Sequence, residues 1–266
     1  MNYVIIKGSY TEHTVIFSLS SYNPSVSKAI SRFSKLLLES CETITAFFLF
    51  IDEGGALSSL INSEENLNRF KRLVGKKEIT QTIRGRQYMY SALSHSCVNL
   101  SIAEPMLATA LELLAPQRSD RLYDLYCNYG VFSLEFTDRI FTFVGVDPSA
   151  AAIEAAKANM IKQRILEGKF IRSEIHELTL KRIFKGSATN EIVIYYPPKK
   201  IATRNVIDWL AARKPRKILH IFRDIETVAT ELQRWHKRGY VSKRIVPFDS
   251  VPGLVGLELM VLLEPK

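Results

Sequence analysis

Two aspartates and the turn between them are the residues of this chain best arranged for ligand chemistry. In Tyr123-Asp124-Leu125-Tyr126-Cys127-Asn128-Tyr129-Gly130-Val131-Phe132-Ser133-Leu134 an apolar stretch ends in an acid and a tight turn, and a helix then begins. One apolar segment later, Val144-Gly145-Val146-Asp147 also ends in a carboxylate. In open α/β sheets ligands lie at the carboxyl ends of the strands. There the turn lets backbone approach the ligand, and the second acid accepts from ribose hydroxyls. A βαβ unit that binds nothing carries the same pattern. The thiols offer less: Cys41, Cys97 and Cys127 are widely spaced with no C-x-x-C pair, so they form no legible zinc or iron–sulfur site, and an odd count argues against a disulfide framework. Glu258, taken alone, reads as a surface or capping residue.

Charge is the next chemical signal. The chain has 36 basic and 27 acidic residues, a formal charge of +9. Residues 1–105 hold 11 basic and 9 acidic side chains, and 106–266 hold 25 and 18, so the C-terminal part is better suited to a polyanion. Basic clusters stand at Lys181-Arg182 with Lys185, Lys199-Lys200 with Arg204, Arg213-Lys214 with Arg216-Lys217, and Arg234 with Lys237-Arg238. Tyr195, Tyr196 and Phe222 close apolar segments nearby and could stack on an unpaired base. The plain alternative makes Tyr195 core and the lysines solvated helix ends.

The elements that must hold these residues follow from periodicity. Tyr3–Lys7 and Thr14–Leu19 read as a hairpin, and Pro24 opens an amphipathic helix over Ser27–Ser40 with Ile30, Phe33, Leu37 and Leu38 on its apolar face. Phe47–Ile51 reads as a buried strand broken by Gly54-Gly55, and Glu78–Ile83 with Arg86–Ala92 as a second hairpin around Gly85. After a helix at Ile102–Leu114, strands and helices alternate. Strands are expected at Arg121–Tyr126, Thr142–Val146, Lys169–Ile171, Glu191–Tyr195 and Lys217–Phe222, and helices at Ala150–Met160, Val206–Arg213 and Glu226–Arg238. Tyr240–Phe248 and Leu257–Leu263 close the chain as a hairpin that puts one antiparallel strand into a mostly parallel sheet. With 266 residues and 47% apolar content, the chain is long enough for a small α+β domain over residues 1–102 and a Rossmann-like α/β domain over 103–266. Met1–Lys7 lacks the pattern of a signal peptide, and runs such as Ala46–Ile51 are too short to span a bilayer, so the expected location is the cytoplasm with no membrane partner.

The segments "DLYCNYGVFSL" and "VGVDPSAAAIEAAKANM" together resemble the S-adenosylmethionine-dependent RNA (uracil-5-)-methyltransferases. The resemblance extends over nearly the whole chain: Met1–Asn99 is similar to that family's central domain, and "SALSHSCVN" to its "F-x-Q-x-N" segment, with Asn99 matched and Cys97 in place of the glutamine. It implies a class I methyltransferase fold, S-adenosyl-L-methionine as cofactor, and rRNA or tRNA as partner. It places Asp124, Tyr126, Asn128, Gly130, Asp147, Glu174 and Tyr196 along the cofactor site. Asn128 stands where the family has a second glycine. The chain resembles a shortened member, without the RNA-binding barrel that others carry at the N-terminus.

In that family a cysteine thiolate adds to carbon 6 of uracil, carbon 5 takes the methyl group, and a carboxylate then removes the carbon 5 proton. The nucleophile belongs to an "S-C-N-P-x-T" segment. Here the matching run is His220-Ile221-Phe222-Arg223-Asp224-Ile225-Glu226-Thr227, and Arg223 falls at the cysteine position. A guanidinium is always protonated and cannot be that nucleophile. The "D-P-P-R-x-G" segment becomes Tyr196-Pro197-Pro198-Lys199-Lys200-Ile201, and near the end Glu258 matches the general base while Gly256 replaces a histidine. Four base-handling residues are thus replaced. The expectation is a catalytically degenerate homologue that binds RNA, with or without S-adenosylmethionine. The alternatives are methyl transfer by a cysteine-independent route, or a structural partner of another methyltransferase.

Overall fold

A computed structural model describes residues 2–52, 69–91, 99–185, 188–199, 201, 203–253 and 256–266. They divide into two units, Met1–Ser96 and Cys97–Lys266. The expected division at 102/103 would cut a helix that belongs whole to the second unit. Gly54-Gly55, Ala92, Cys97 and Lys200 lie outside the described residues.

In the first unit, β1 (Tyr3–Gly8), β2 (His13–Leu19), β3 (Ile44–Ile51) and β4 (Phe70–Gly75) form a sheet in that order. β2 and β3 are parallel, so the chain must cross over between them, and it does so through α1 (Pro24–Ser40). The helix starts where the sequence says it should: the Asn23 side chain accepts from Ser25 N and Val26 N, and Pro24 needs no donor there. Its inner face sets Ile30, Leu37 and Leu38 against Val15, Phe17 and Phe47 of the sheet. Phe33, expected on that face, is 51% exposed; buried Ser27 and Ser34 occupy the centre of the inner arc and turn Phe33 to its flank. β5 (Glu78–Ile83) and β6 (Arg86–Ser91) pair as expected, around Arg84 and Gly85 at φ of 49° and 77°. Two positive φ values match the twist of a two-residue hairpin loop. β4 was not expected: Lys71 and Arg72 interrupt its apolar pattern, and both are exposed on an edge strand.

The second unit begins with α2 (Leu100–Leu114), whose Leu107, Ala110, Leu111 and Leu114 are buried as expected. Next come β7 (Arg121–Leu125), α3 (Val131–Glu135), β8 (Thr142–Asp147), α4 (Ala150–Lys162), β9 (Lys169–Arg172) and α5 (Glu177–Ile183). Then follow β10 (Glu191–Tyr195), α6 (Arg204–Arg213), β11 (Lys217–Phe222), α7 (Ile225–Lys237), β12 (Tyr240–Asp249) and β13 (Leu257–Pro265). The sheet order is β12-β13-β11-β10-β7-β8-β9. Among the described strands of this sheet, β13 runs antiparallel to β12 and β11, and the others share one direction. β7, β10 and β11 are nearly all buried because helices cover both faces, which is why they read as continuous apolar runs rather than alternating ones. Order reverses between β7 and β10: β8 and β9 extend one way, β10 and β11 the other. A crevice at the carboxyl ends is what that reversal produces.

Candidate functional site

The acids of the opening motif lie at neighbouring strand ends. Asp124, 1% exposed, is the penultimate residue of β7 and accepts from Ser133 N (3.1 Å) and Ser133 Oγ (2.6 Å), so it anchors the start of α3. Burial pushes its carboxyl up to about 7, against the two Ser133 hydrogen bonds and with help from Asp147. Asp147 closes β8. Its Oδ2 accepts from Asn128 N at 2.9 Å and its Oδ1 from Ser149 N at 2.9 Å, tying the first turn to the second. Between them the chain alternates through left-handed residues: Tyr126, Asn128 and Gly130 have φ of 67°, 51° and 87°. Asn tolerates that region. Gly130 is required for a second reason, since a Cβ there would come within 2.6 Å of Phe170 Cζ. Glu174, exposed just past β9, and Asp147 both act on Tyr126, whose phenol burial and these two charges raise to about 12.

Tyr196, Arg223 and Glu258 meet at the other half of the crevice. Tyr196 follows β10, and its N–H donates to Leu125 O at 3.2 Å. Arg223 follows β11. Because β13 is antiparallel to β11, with Phe222 opposite Leu259, the start of β13 lies beside the end of β11 and brings Glu258 to Arg223. Tyr196 Oη–H donates to Glu258 Oε2 at 2.6 Å, Arg223 Nε lies 3.8 Å from Glu258 Oε1, and the guanidinium sits 4.3 Å from the centre of the Tyr196 ring. Burial, then Glu258, push the Tyr196 phenol up, against the opposing pull of Arg223, so it is a neutral donor. This is a closed, internally neutralised cluster. The cavity beside it, between Pro197, Lys199, Phe222 and Arg223, measures about 20 Å³. That is the space of one water molecule, not of a base.

Of the described cysteines, Cys41 belongs to the first unit and Cys127 to the second. Cys127 is buried in the first turn with its sulfur against Gly145, and burial raises its thiol well above the usual range. The Asn99 side chain caps α2, accepting from Ser101 N at 3.1 Å. No group of described His, Cys, Asp and Glu residues is arranged to hold a metal ion. No helix among the described residues is long and apolar enough to cross a membrane.

The expectation that Tyr195 and Phe222 could stack on a base is corrected. Tyr195 (0% exposed) and Phe222 (2%) are core residues, because a strand covered on both faces buries its last residues too. Several basic side chains are held within the molecule: Arg213 by Glu191, Arg216 by Asp120, Lys217 by Leu113 O and Glu264, Arg234 and Arg238 both by Asp208, and Lys181 by Glu177. Sequence reading also passed over a buried polar chain. Trp235 Nε1 donates to His220 Nδ1 at 3.2 Å, His220 Nε2 lies 3.5 Å from Glu231 Oε2, and Glu231 Oε1 accepts from Thr203 Oγ1 at 2.8 Å. A histidine inside the apolar run Lys217–Phe222 was its one sequence signal.

Comparison with known proteins places this geometry. An uncharacterized RNA methyltransferase of Streptococcus pyogenes serotype M18 is 28% identical over 215 residues, 78% of this chain and 46% of the relative. One from Streptococcus mutans serotype c is 27% identical over 220 residues, 80% of this chain and 49% of the relative. The chain spans about half the length of these relatives. The crystal structure of Pyrococcus abyssi tRNA (uracil-54, C5)-methyltransferase in complex with S-adenosyl-L-homocysteine superposes with a TM-score of 0.72 at 19% identity, over 98% of this chain and 59% of that one. M. jannaschii tRNA m1G37 methyltransferase follows at 0.62 and 13%, over 100% and 76%. At those identities the likeness is one of fold, that of class I methyltransferases. The family model for tRNA (uracil-5-)-methyltransferases matches residues 68–266, most of the chain, and to that family the chain belongs.

Proposed function

We propose that this chain binds RNA as a member of the uracil-5 methyltransferase family without that family's covalent chemistry, and that its Asp124–Asp147 half takes S-adenosyl-L-methionine. One observation carries the reading: Arg223, which the resemblance aligns with the nucleophile, follows β11 with its guanidinium lying on Tyr196 and beside Glu258. The thiolate that must add to carbon 6 has no stand-in among the described residues of this cluster, and Glu258, which the resemblance makes the base, already accepts from Tyr196.

The donor set of the other half suits the cofactor. The Asp147 carboxylate ends β8 where such folds place the acid that accepts from ribose hydroxyls, and Glu174 is exposed beside Tyr126. Asp124 and Gly130 would shape the turn, and Asn128, whose backbone N–H donates to Asp147, would fix it beside the second acid. When bound, S-adenosyl-L-methionine supplies an electrophilic methyl group. In this chain Tyr196, Arg223 and Glu258 hold one another.

The test is a pair of measurements on the full chain. Calorimetric titration with S-adenosyl-L-methionine is expected to show binding that Asp147→Ala abolishes. Incubation with labelled cofactor and total RNA is expected to leave RNA bound but unlabelled, and Arg223→Cys to yield no 5-methyluridine, since Cys97 and Tyr196 also replace base-handling residues. Base-resistant label on RNA from the unaltered chain would overturn the reading in favour of cysteine-independent transfer.

A further inference from the structure

The first unit leaves an apolar trough on the face of its sheet that carries α1. β1 is an edge strand, and its Val4 and Ile6 pair with Phe17 and Val15 of β2, so they look out on the side that α1 covers. The helix packs over β3 and β4 and against the β2 side chains Val15 and Phe17. Val4 and Ile6 stand beyond it, 47% and 66% exposed. They are the floor of the trough.

The wall is a second apolar face of α1. Val26, Ala29, Phe33 and Leu36 follow one another at intervals of three, four and three residues, the spacing of a helix–helix seam, and all four are exposed. They lie beside the arc that meets the sheet, and the Phe33 ring stands 6.5 Å from that of Phe17, so the seam faces β1. β1 is two strands from β3, about 10 Å, and packed helices keep their axes about 8–10 Å apart. A helix laid over β1 would therefore touch Val4 and Ile6 below it and the seam at its side. At their observed exposures Val4, Ile6, Val26, Phe33 and Leu36 offer about 500 Å² of apolar surface, near the upper end for a monomer and of the size that marks an interaction site. Charge borders the seam on its solvent side. Lys28, Arg32 and Lys35 are exposed there, none of them ion-paired among the described residues, and Glu39 is the only acid of the helix.

We propose that the trough receives an amphipathic helix of a partner protein, its apolar face on Val4, Ile6 and the α1 seam and its flank acidic toward Arg32 and Lys28. Helix-in-groove docking of this kind takes its anchors at the same three- and four-residue spacing. A second copy of the chain does not fill the space. Two copies joined edge to edge through β1 would set their α1 helices ~24 Å apart, five strand spacings, and leave both troughs open. Two copies joined face to face would press Lys28, Arg32 and Lys35 of each onto the apolar floor of the other, and burying unpaired charge is costly. The site lies wholly within the first unit, so it stands or falls separately from the reading of Arg223.

The test uses the full chain and a fluorescein-labelled peptide of about 18 residues, with leucine at the a and d positions of its heptads, glutamate at e and g, and alanine and glutamine elsewhere. Its own charges keep it from pairing with itself. By fluorescence anisotropy it is expected to bind at least about tenfold more tightly than a scrambled peptide of the same composition, and than one with lysine at e and g. Phe33→Glu and Leu36→Glu, each made at a half-exposed side chain, are both expected to abolish binding with the thermal unfolding midpoint unchanged. Lys28→Glu, Arg32→Glu and Lys35→Glu made together are expected to reverse the preference, so that the lysine peptide binds better; gain of binding cannot come from a misfolded chain. Equal binding of the scrambled peptide, binding that survives either single substitution, or no reversal in the triple variant overturns the proposal. So does a dimer in sedimentation that Phe33→Glu dissociates, which would give the trough to a second copy. Binding to phosphatidylserine vesicles that Phe33→Glu abolishes, with no binding of the acidic peptide, would give it to a membrane surface instead.

Discussion

Asp124 is the buried carboxyl on which the first turn of the crevice depends. Unfolded it titrates at 3.8, and folded it is pushed to about 7, chiefly by burial. The folded state therefore favours the protonated form. The stability that this confers is whole below pH 3.8, declines as pH rises, and is lost above about 7. Asp124→Asn keeps the shape of the neutral acid and can still accept from Ser133 N. Thermal unfolding followed from pH 4 to pH 8 is expected to give similar midpoints for both proteins at the acid end and a higher midpoint for the variant at pH 8. Parallel curves would refute the assignment. Asp124 and Asp147 were legible because an acid after an apolar run marks a strand's carboxyl end. Glu258 and Arg223 were legible only through resemblance, since they are 35 residues apart and meet through the antiparallel register of β13. The His220–Glu231 contact was not legible: one residue sits within an apolar strand and the other on a charged helix face, and nothing local links them.

Long, periodic elements matched their sequence signals within a few residues, because burial of one face fixes both period and extent. The short helices did not. α5 has seven residues and α3 five, fewer than two turns, so periodicity cannot announce them; their ends are set by His176 accepting from Thr179 N and by the left-handed Gly130. The edge strand β12 shows how an element defends itself: a bulge at Ser242/Arg244 and exposed Lys243 and Arg244 interrupt what would be a long pairing edge. Two glycines separate backbone strain from packing. Gly130 and Gly239 have nearly the same φ, 87° and 89°, but a Cβ at Gly239 meets nothing within 4 Å, whereas at Gly130 it collides with Phe170 and nears Ala156. Gly239→Ala is expected to cost about 1–2 kcal/mol from strain alone, and Gly130→Ala clearly more, on the order of 3 kcal/mol or above once overpacking is added. Urea unfolding of the two variants measures the difference; equal costs would mean that Phe170 moves aside freely.

On the scale of the whole chain, a formal charge of +9 suggests a broadly electrostatic RNA surface, but the ion pairs redistribute that charge. Glu191 and Asp120 are 0% and 1% exposed, and Arg213 and Arg216 neutralise them near the start of the strands, while Asp208 holds Arg234 and Arg238 between α6 and α7. These arginines serve stability first. Arg213→Ala would strand a buried carboxylate, which costs about 3–5 kcal/mol when the pair is fully enclosed; with Arg213 a quarter exposed, roughly 2–3 kcal/mol is the expected loss. RNA affinity should barely change in that variant. Lys199 and Arg204 flank the crevice at the carboxyl ends of β10 and β11, where the aromatic and charged cluster of Tyr196, Arg223 and Glu258 also lies. Replacing either by alanine is expected to weaken RNA binding with little effect on unfolding, and to reduce the slope of log K against log salt by about 0.7–0.9 if it contacts one phosphate. Filter binding across a salt series, read beside unfolding midpoints, separates the two groups of cations. If Arg213→Ala lowered the salt slope and Lys199→Ala or Arg204→Ala left it unchanged, the RNA would lie at the opposite end of the sheet, and the crevice would no longer be the place where this chain meets it.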